Sequence, residues 1–127
     1  MAEPITGEQL AAISRELGRL KAQYYGKGPT ESKSYINDNF LFCTMRGGLT
    51  TVEQTLVAGG HEDLVRDVRL RFQDQMSMVF RDAVEKITGK VVVTYHSQLL
   101  LKPDYTVEMF VLAEPDDPVL EVTSPIG

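Results

Sequence analysis

The chain predicts a two-layer α+β domain in which an antiparallel sheet packs on one long helix, with elements in the order α-β-β-α-α-β-β. Three observations predict it. Apolar residues recur at three- and four-residue intervals across 61–88, the strongest helical stripe in the sequence. Two pairs of runs rich in β-branched and aromatic residues, at 33–46 and 91–112, lie on either side of that segment, each interrupted by a turn signal. The length of 127 residues, with 43% apolar and 24% charged residues, suits a single domain able to bury roughly two-thirds of its unfolded surface.

The first helix is expected over 6–25, where Leu10, Ile13, Leu17, Leu20 and Tyr24 fall on one face. Thr6 and Gln9 have the spacing of a capping box, Ile5 and Leu10 that of a hydrophobic staple, and Gly26, Gly28 and Pro29 stop the helix. A hairpin follows at 33–46, turning near Asn37-Asp38, because these residue types tolerate the positive φ of tight turns. Gly47-Gly48 ends its second strand. Thr50-Thr51-Val52-Glu53 then offers another capping box, opening a short helix to Ala58, and Gly59-Gly60 breaks that helix.

From His61 to Thr88 the residues Leu64, Val68, Phe72, Met76, Val79, Ala83 and Ile87 hold one stripe, predicting a helix about 42 Å long. Glu62 and Asp63 near its start and Lys86 near its end match the helix dipole, and Gly89 supplies the cap. Val65, Leu70, Phe80 and Val84 lie off that stripe, so the helix has apolar flanks wide enough to predict burial against a second copy, a homodimer. Two strands complete the domain, joined near Pro103-Asp104. The domain is expected over 1–113, followed at 114–127 by an acidic tail holding three of the six prolines and expected to be mobile.

Charge and composition exclude several functions. The net charge is −5, and the tail contributes Glu114, Asp116, Asp117 and Glu121 with no Lys or Arg, so the body is close to neutral. It lacks the basic stripe that phosphate-backbone binding requires, and nucleic acid is not an expected partner. No apolar run approaches the ~20 residues of a membrane span, and the amino terminus has no basic stretch followed by an apolar core, so a cytoplasmic location is expected. Cys43 is the only cysteine and sits in an apolar run, where a thiol behaves as a small hydrophobe. With His61 and His96 it has no metal-ligand spacing, and no metal and no cofactor are expected.

No nucleophile motif and no catalytic residue can be named. The carboxylates Glu53, Glu62, Asp63 and Glu108 could meet in space, but spacing selects none of them. Two glycine-rich segments remain: Tyr24-Tyr25-Gly26-Lys27-Gly28-Pro29-Thr30 and Arg46-Gly47-Gly48-Leu49-Thr50-Thr51. Neither has the spacing of a phosphate loop. In the second, free amides at a helix start beside Arg46 have the chemistry of a small-anion site formed by Arg46, Gly47, Gly48, Thr50 and Thr51. Against that site stands Glu53, whose capping role would occupy the same helix start and repel an anion.

Those segments, with Phe72-Gln73 and Thr88-Gly89, resemble the MpsC-like domain family across roughly 8–113. The resemblance implies a small bacterial cytoplasmic protein linked with sodium-translocating, membrane-potential-generating or inorganic-carbon transport systems, without established catalytic residues. Tyr25, Gly26, Gly28, Pro29, Arg46, Gly47, Gly48 and Thr50 carry over as family positions of unassigned role. Leu99-Leu100-Leu101 stands where that family has a more polar turn. The expectation is a non-enzymatic accessory or regulatory protein that docks on a membrane transport complex or senses a small anion. The alternative is a small enzyme using Arg46 and a nearby carboxylate on an anionic substrate.

Overall fold

The structure, a computed structural model, describes residues 3–118 and Leu120. Helix α1 (Gly7–Tyr25) leads into a hairpin of β1 (Glu31–Asn37) and β2 (Phe40–Arg46). Helices α2 (Thr51–Ala58) and α3 (Glu62–Thr88) follow, and a second hairpin of β3 (Val91–Leu100) and β4 (Tyr105–Ala113) closes the described fold. The four strands form one antiparallel sheet in the order β1-β2-β4-β3, so β4 joins the two hairpins edge to edge. The predicted α+β class, element order and packing of the long helix on the sheet are all present.

Both capping boxes form. The Thr6 hydroxyl accepts from the Gln9 amide while the Gln9 side chain accepts from the Thr6 amide, and Thr50 and Glu53 do the same at the start of α2. Gly26 and Gly89 end α1 and α3 at φ 92° and 73°, a conformation that costs glycine nothing.

Helices α1 and α3 cover one face of the sheet. Ile13, Leu17 and Leu20 meet Leu41, Cys43, Met45, Phe110 and Leu112 from the strands and Met76, Phe80 and Val84 from α3. A register shift between Val92 and Thr94 lets β3 present Val92, then Tyr95 and Leu99, to the same side. A smaller cluster of Leu49, Val65, Leu99 and Leu101 lies at the far end.

The buried side of α3 differs from the sequence reading: Val65, Phe80 and Val84, placed off the stripe, are buried with Arg69 and Met76, whereas Leu64 and Val68, placed on it, are 47% and 46% exposed. The cause is a change of neighbour along the helix. Its second half packs on α1 and the sheet, and its first half packs on α2 and the Leu49–Leu99 cluster, so the buried side turns. The outer face of the sheet, opposite the helices, carries Tyr35, Phe40, Phe42, Val107, Met109 and Val111, all half-buried or exposed. Of the expected tail, Val119 and residues 121–127 lie outside the described residues. Glu114, at the tail's beginning, pairs with Lys90.

Candidate functional site

The two glycine segments meet. Gly47 has φ 70°, and a Cβ there would lie 2.6 Å from the Thr30 hydroxyl oxygen, so the segments touch where only glycine fits. Thr30 donates its amide to the Arg46 carbonyl at 2.8 Å, and Lys27 Nζ donates to the Leu49 carbonyl at 2.9 Å. The β3–β4 turn closes the third side. The Asp104 carbonyl accepts the Gly47 amide at 3.2 Å, and its carboxylate accepts the Leu49 amide at 3.3 Å. In the Leu99–Leu101 run, Leu99 and Leu101 are buried and Leu100 is exposed.

Behind this turn sits a buried ion pair. Arg69 Nε and Nη2 each lie 2.6 Å from a Glu53 carboxylate oxygen, a two-pronged contact in which both side chains are less than a tenth exposed. Arg69 also donates to the Gly48 carbonyl at 2.9 Å, and its guanidinium lies 4.0 Å from the centre of the Tyr25 ring. Tyr25 donates its hydroxyl to Glu53 and packs on Phe72 with ring centres 4.5 Å apart. Burial pushes the Glu53 carboxyl up, but the bonds from Arg69, Tyr25 and the Thr50 amide outweigh it and hold the carboxyl below its ordinary value. The Tyr25 hydroxyl is pushed up to about 12 by burial and by its bond to Glu53.

Each predicted site residue can now be placed. Arg46 lies on the outer side of the sheet, its guanidinium 4.9 Å from the Tyr105 ring centre. The Thr50 amide and hydroxyl both donate to Glu53, while Thr51 begins α2, where its carbonyl accepts from Thr55. Gly47 and Gly48 are tied to Asp104 and Arg69. Tyr24 is about half exposed, Gly26 caps α1, and a Cβ on Gly28 would press on Ala22 at 3.2 Å, with Pro29 close to Gly18. The four candidate carboxylates do not converge. Glu53 pairs with Arg69, Glu108 with Lys21, and Glu62 with Lys102. Cys43 is fully buried, and its thiol is pushed up to about 11 by burial.

The sequence reading missed a second buried pair. Lys21 Nζ lies 2.9 Å from Glu108 Oε1, and Tyr95 donates its hydroxyl to Glu108 Oε2 at 2.9 Å. Burial, then the adjoining Glu108 charge, pushes the Tyr95 hydroxyl well above its ordinary range. This chain floors a cleft of about 200 Å³ between α3 and strands β3 and β4, whose rim includes Arg66 and Gln73 and whose wall includes Arg69. A signal for it was present. Glu108 alternates with Thr106, Phe110 and Leu112, and Lys21 stands one turn after Leu17, so both charges occupy core-facing positions.

Compared with known families, the chain matches the one described as Na+-translocating membrane potential-generating system (MpsC) over residues 6–114. The chain belongs to the MpsC family. Comparison with curated proteins and with solved structures gives no match. The MpsC match takes in both glycine segments, both buried pairs and all four strands. Among the described residues no helix is long and apolar enough to cross a membrane.

Proposed function

We propose that this MpsC protein is a cytoplasmic, non-enzymatic accessory component of a Na+-translocating membrane system, working as a homodimer and responding to a small anion. The family description supplies the setting. The observation that carries the binding role is the outer sheet face. An antiparallel sheet with one solvated side ordinarily alternates apolar-in with polar-out, yet the outward positions of β1, β2 and β4 include Tyr35, Phe40, Phe42, Val107, Met109 and Val111 beside Glu31, Lys33, Thr44 and Arg46. A contiguous apolar surface of this kind serves protein contact rather than chemistry. In this reading its occupant is a second copy, since twofold self-association is the commonest way for one chain to cover such a face.

The buried pairs fit the same reading, since Glu53, Arg69, Lys21 and Glu108 are committed to partners within the chain rather than held free for proton transfer. The test uses membrane vesicles carrying the Na+-translocating system and a voltage-sensitive dye. A Na+-dependent potential that changes when the protein is added back supports the proposal. A potential identical with and without the protein overturns it.

A further inference from the structure

The pairing register lays out the outer sheet face as a grid. Tyr35 stands opposite Phe42, Phe42 opposite Met109 and Met109 opposite His96, so these four side chains form one row across all four strands. The next row towards the β1–β2 turn is Asn37, Phe40, Val111 and Thr94, and the two rows together are the more apolar half of the face. Side chains opposed in this way stand about 5 Å apart at Cβ. His96 ends the first row on β3, exposed, with Met109 between it and the aromatic rings.

Charge is spread unevenly over this grid. On β4 the outward neighbours of His96 are Val107, Met109 and Val111, and on its own strand they are Thr94 and Gln98, so no titratable group faces it from either. Tyr95 and Glu108, which adjoin His96 and Met109 in sequence, are buried on the opposite side, where Glu108 pairs with Lys21. The charged side chains of the outer face are Glu31, Lys33 and Arg46, all on β1 and β2. Glu31, the carboxylate among them, lies three strands and two rows from His96, roughly 20 Å at ~4.8 Å per strand and ~6.8 Å per row. The Phe42 ring is two strands away, beyond the ~6 Å reach of a cation–π contact. An imidazolium at this position is therefore hydrated, with no charge partner on its own face.

We propose that His96 makes self-association through the outer face depend on pH: the neutral imidazole is covered between two copies, and its protonation releases them. This deepens the twofold association proposed above and rests on it. A contact centred on the two apolar rows covers His96 and leaves Glu31 at the rim in water. Covering an imidazolium there exchanges its hydration for apolar side chains with no carboxylate in reach, a cost the neutral ring largely avoids. Histidine is the side chain whose charge ordinarily changes between about pH 5 and 8, which sets the range of the response. Net charge acts in the opposite direction. The chain carries −5 at pH 7 and has an isoelectric point of about 5.0, so acidification lowers the repulsion between copies and by itself tightens their association. Weakening in acid thus marks a charge gained inside the contact.

Sedimentation equilibrium of the full chain at about pH 8 and about pH 5.5 tests the switch, since this interval spans the charge change of an ordinary imidazole. The dimer dissociation constant should rise about tenfold or more on acidification. His96→Gln, uncharged throughout, should dimerise like the wild type in base and lose the weakening in acid. His96→Arg, charged throughout, should be as weak in base as the wild type is in acid. His96 is exposed in the single copy, so both variants keep the fold. His61→Gln removes the other histidine, which stands at the start of α3 away from this face, and should leave the pH response unchanged. A dissociation constant that is unchanged or tighter in acid, or a weakening that persists in His96→Gln, would overturn the switch and leave the dimer standing. A wild-type monomer in base would remove the twofold association itself, and the switch with it.

Discussion

Replacing Arg69 by methionine keeps the length of the side chain and removes its charge, leaving the Glu53 carboxylate buried with only Tyr25 and Thr50 as donors. Because both partners are less than a tenth exposed, solvent screening offers little relief. Breaking a buried pair by removing one partner costs about 3–5 kcal/mol. A chain of 127 residues unfolds with an entropy of about 0.27 kcal/mol/K, so the midpoint should fall by about 10–20 °C. The loss should depend on pH. The folded carboxyl is held below its ordinary value, so its contribution is complete above the unfolded pKa and disappears as pH falls through the folded one. Thermal unfolding followed by circular dichroism should therefore show wild type and Arg69→Met far apart at neutral pH and converging in acid. The double variant Glu53→Leu with Arg69→Met should recover much of the loss, since an apolar pair leaves no buried charge. A single-variant cost below about 1 kcal/mol, or a double variant no better than Arg69→Met, would refute the stabilising role of the buried Glu53–Arg69 pair.

Tyr25→Phe keeps the ring against Phe72 and Arg69 but removes the donor to Glu53, and denaturant unfolding should register a loss of about 1.5–3 kcal/mol. Because the folded Tyr25 hydroxyl is raised to about 12, the unfolded state ionises first, so wild-type stability should fall between about pH 10 and 12, less steeply in Tyr25→Phe. Cys43, fully buried with its thiol near 11, should resist thiol-specific labelling at neutral pH in the folded protein and react at once in denaturant. Light scattering should give a dimer mass at micromolar concentration, and Met109→Glu on the outer sheet face should give a folded monomer with the circular dichroism of wild type.

Much of the fold was legible because the signals were local. Thr6-Gln9 and Thr50-Glu53 close their boxes within four residues, and Gly26 and Gly89 cap helices by their own φ. The order β1-β2-β4-β3 was not legible, since β2 and β4 pair across two helices and nothing local encodes that partnership. The α3 stripe failed at Leu64 and Val68 for a related reason. Periodicity finds an apolar face but not which neighbour it will meet, and α2 draws Val65 and Arg69 inward instead. The glycine segments were recognised, but their partner was not. Arg69 lies outside every motif the sequence offers, and only the packing of α3 turns it onto Glu53.

Arg69 links the two halves of the candidate site. It holds Glu53 and the Gly48 carbonyl on one side, and on the other it lines the cleft with Lys21 and Glu108. Its charge is now largely cancelled by Glu53, which does not itself line the cleft. Glu53→Gln would leave the guanidinium uncompensated beside the cleft while preserving the shape of the side chain. A buried cation left without its carboxylate destabilises the fold, so the Glu53→Gln midpoint should fall towards that of Arg69→Met. Arg71→Gln, which removes a solvent-facing charge paired with Asp67, serves as the control and should leave the midpoint unchanged. Equal shifts in the two variants would mean that the buried pair contributes no more than a surface one, and the glycine segments would then not be held through Arg69.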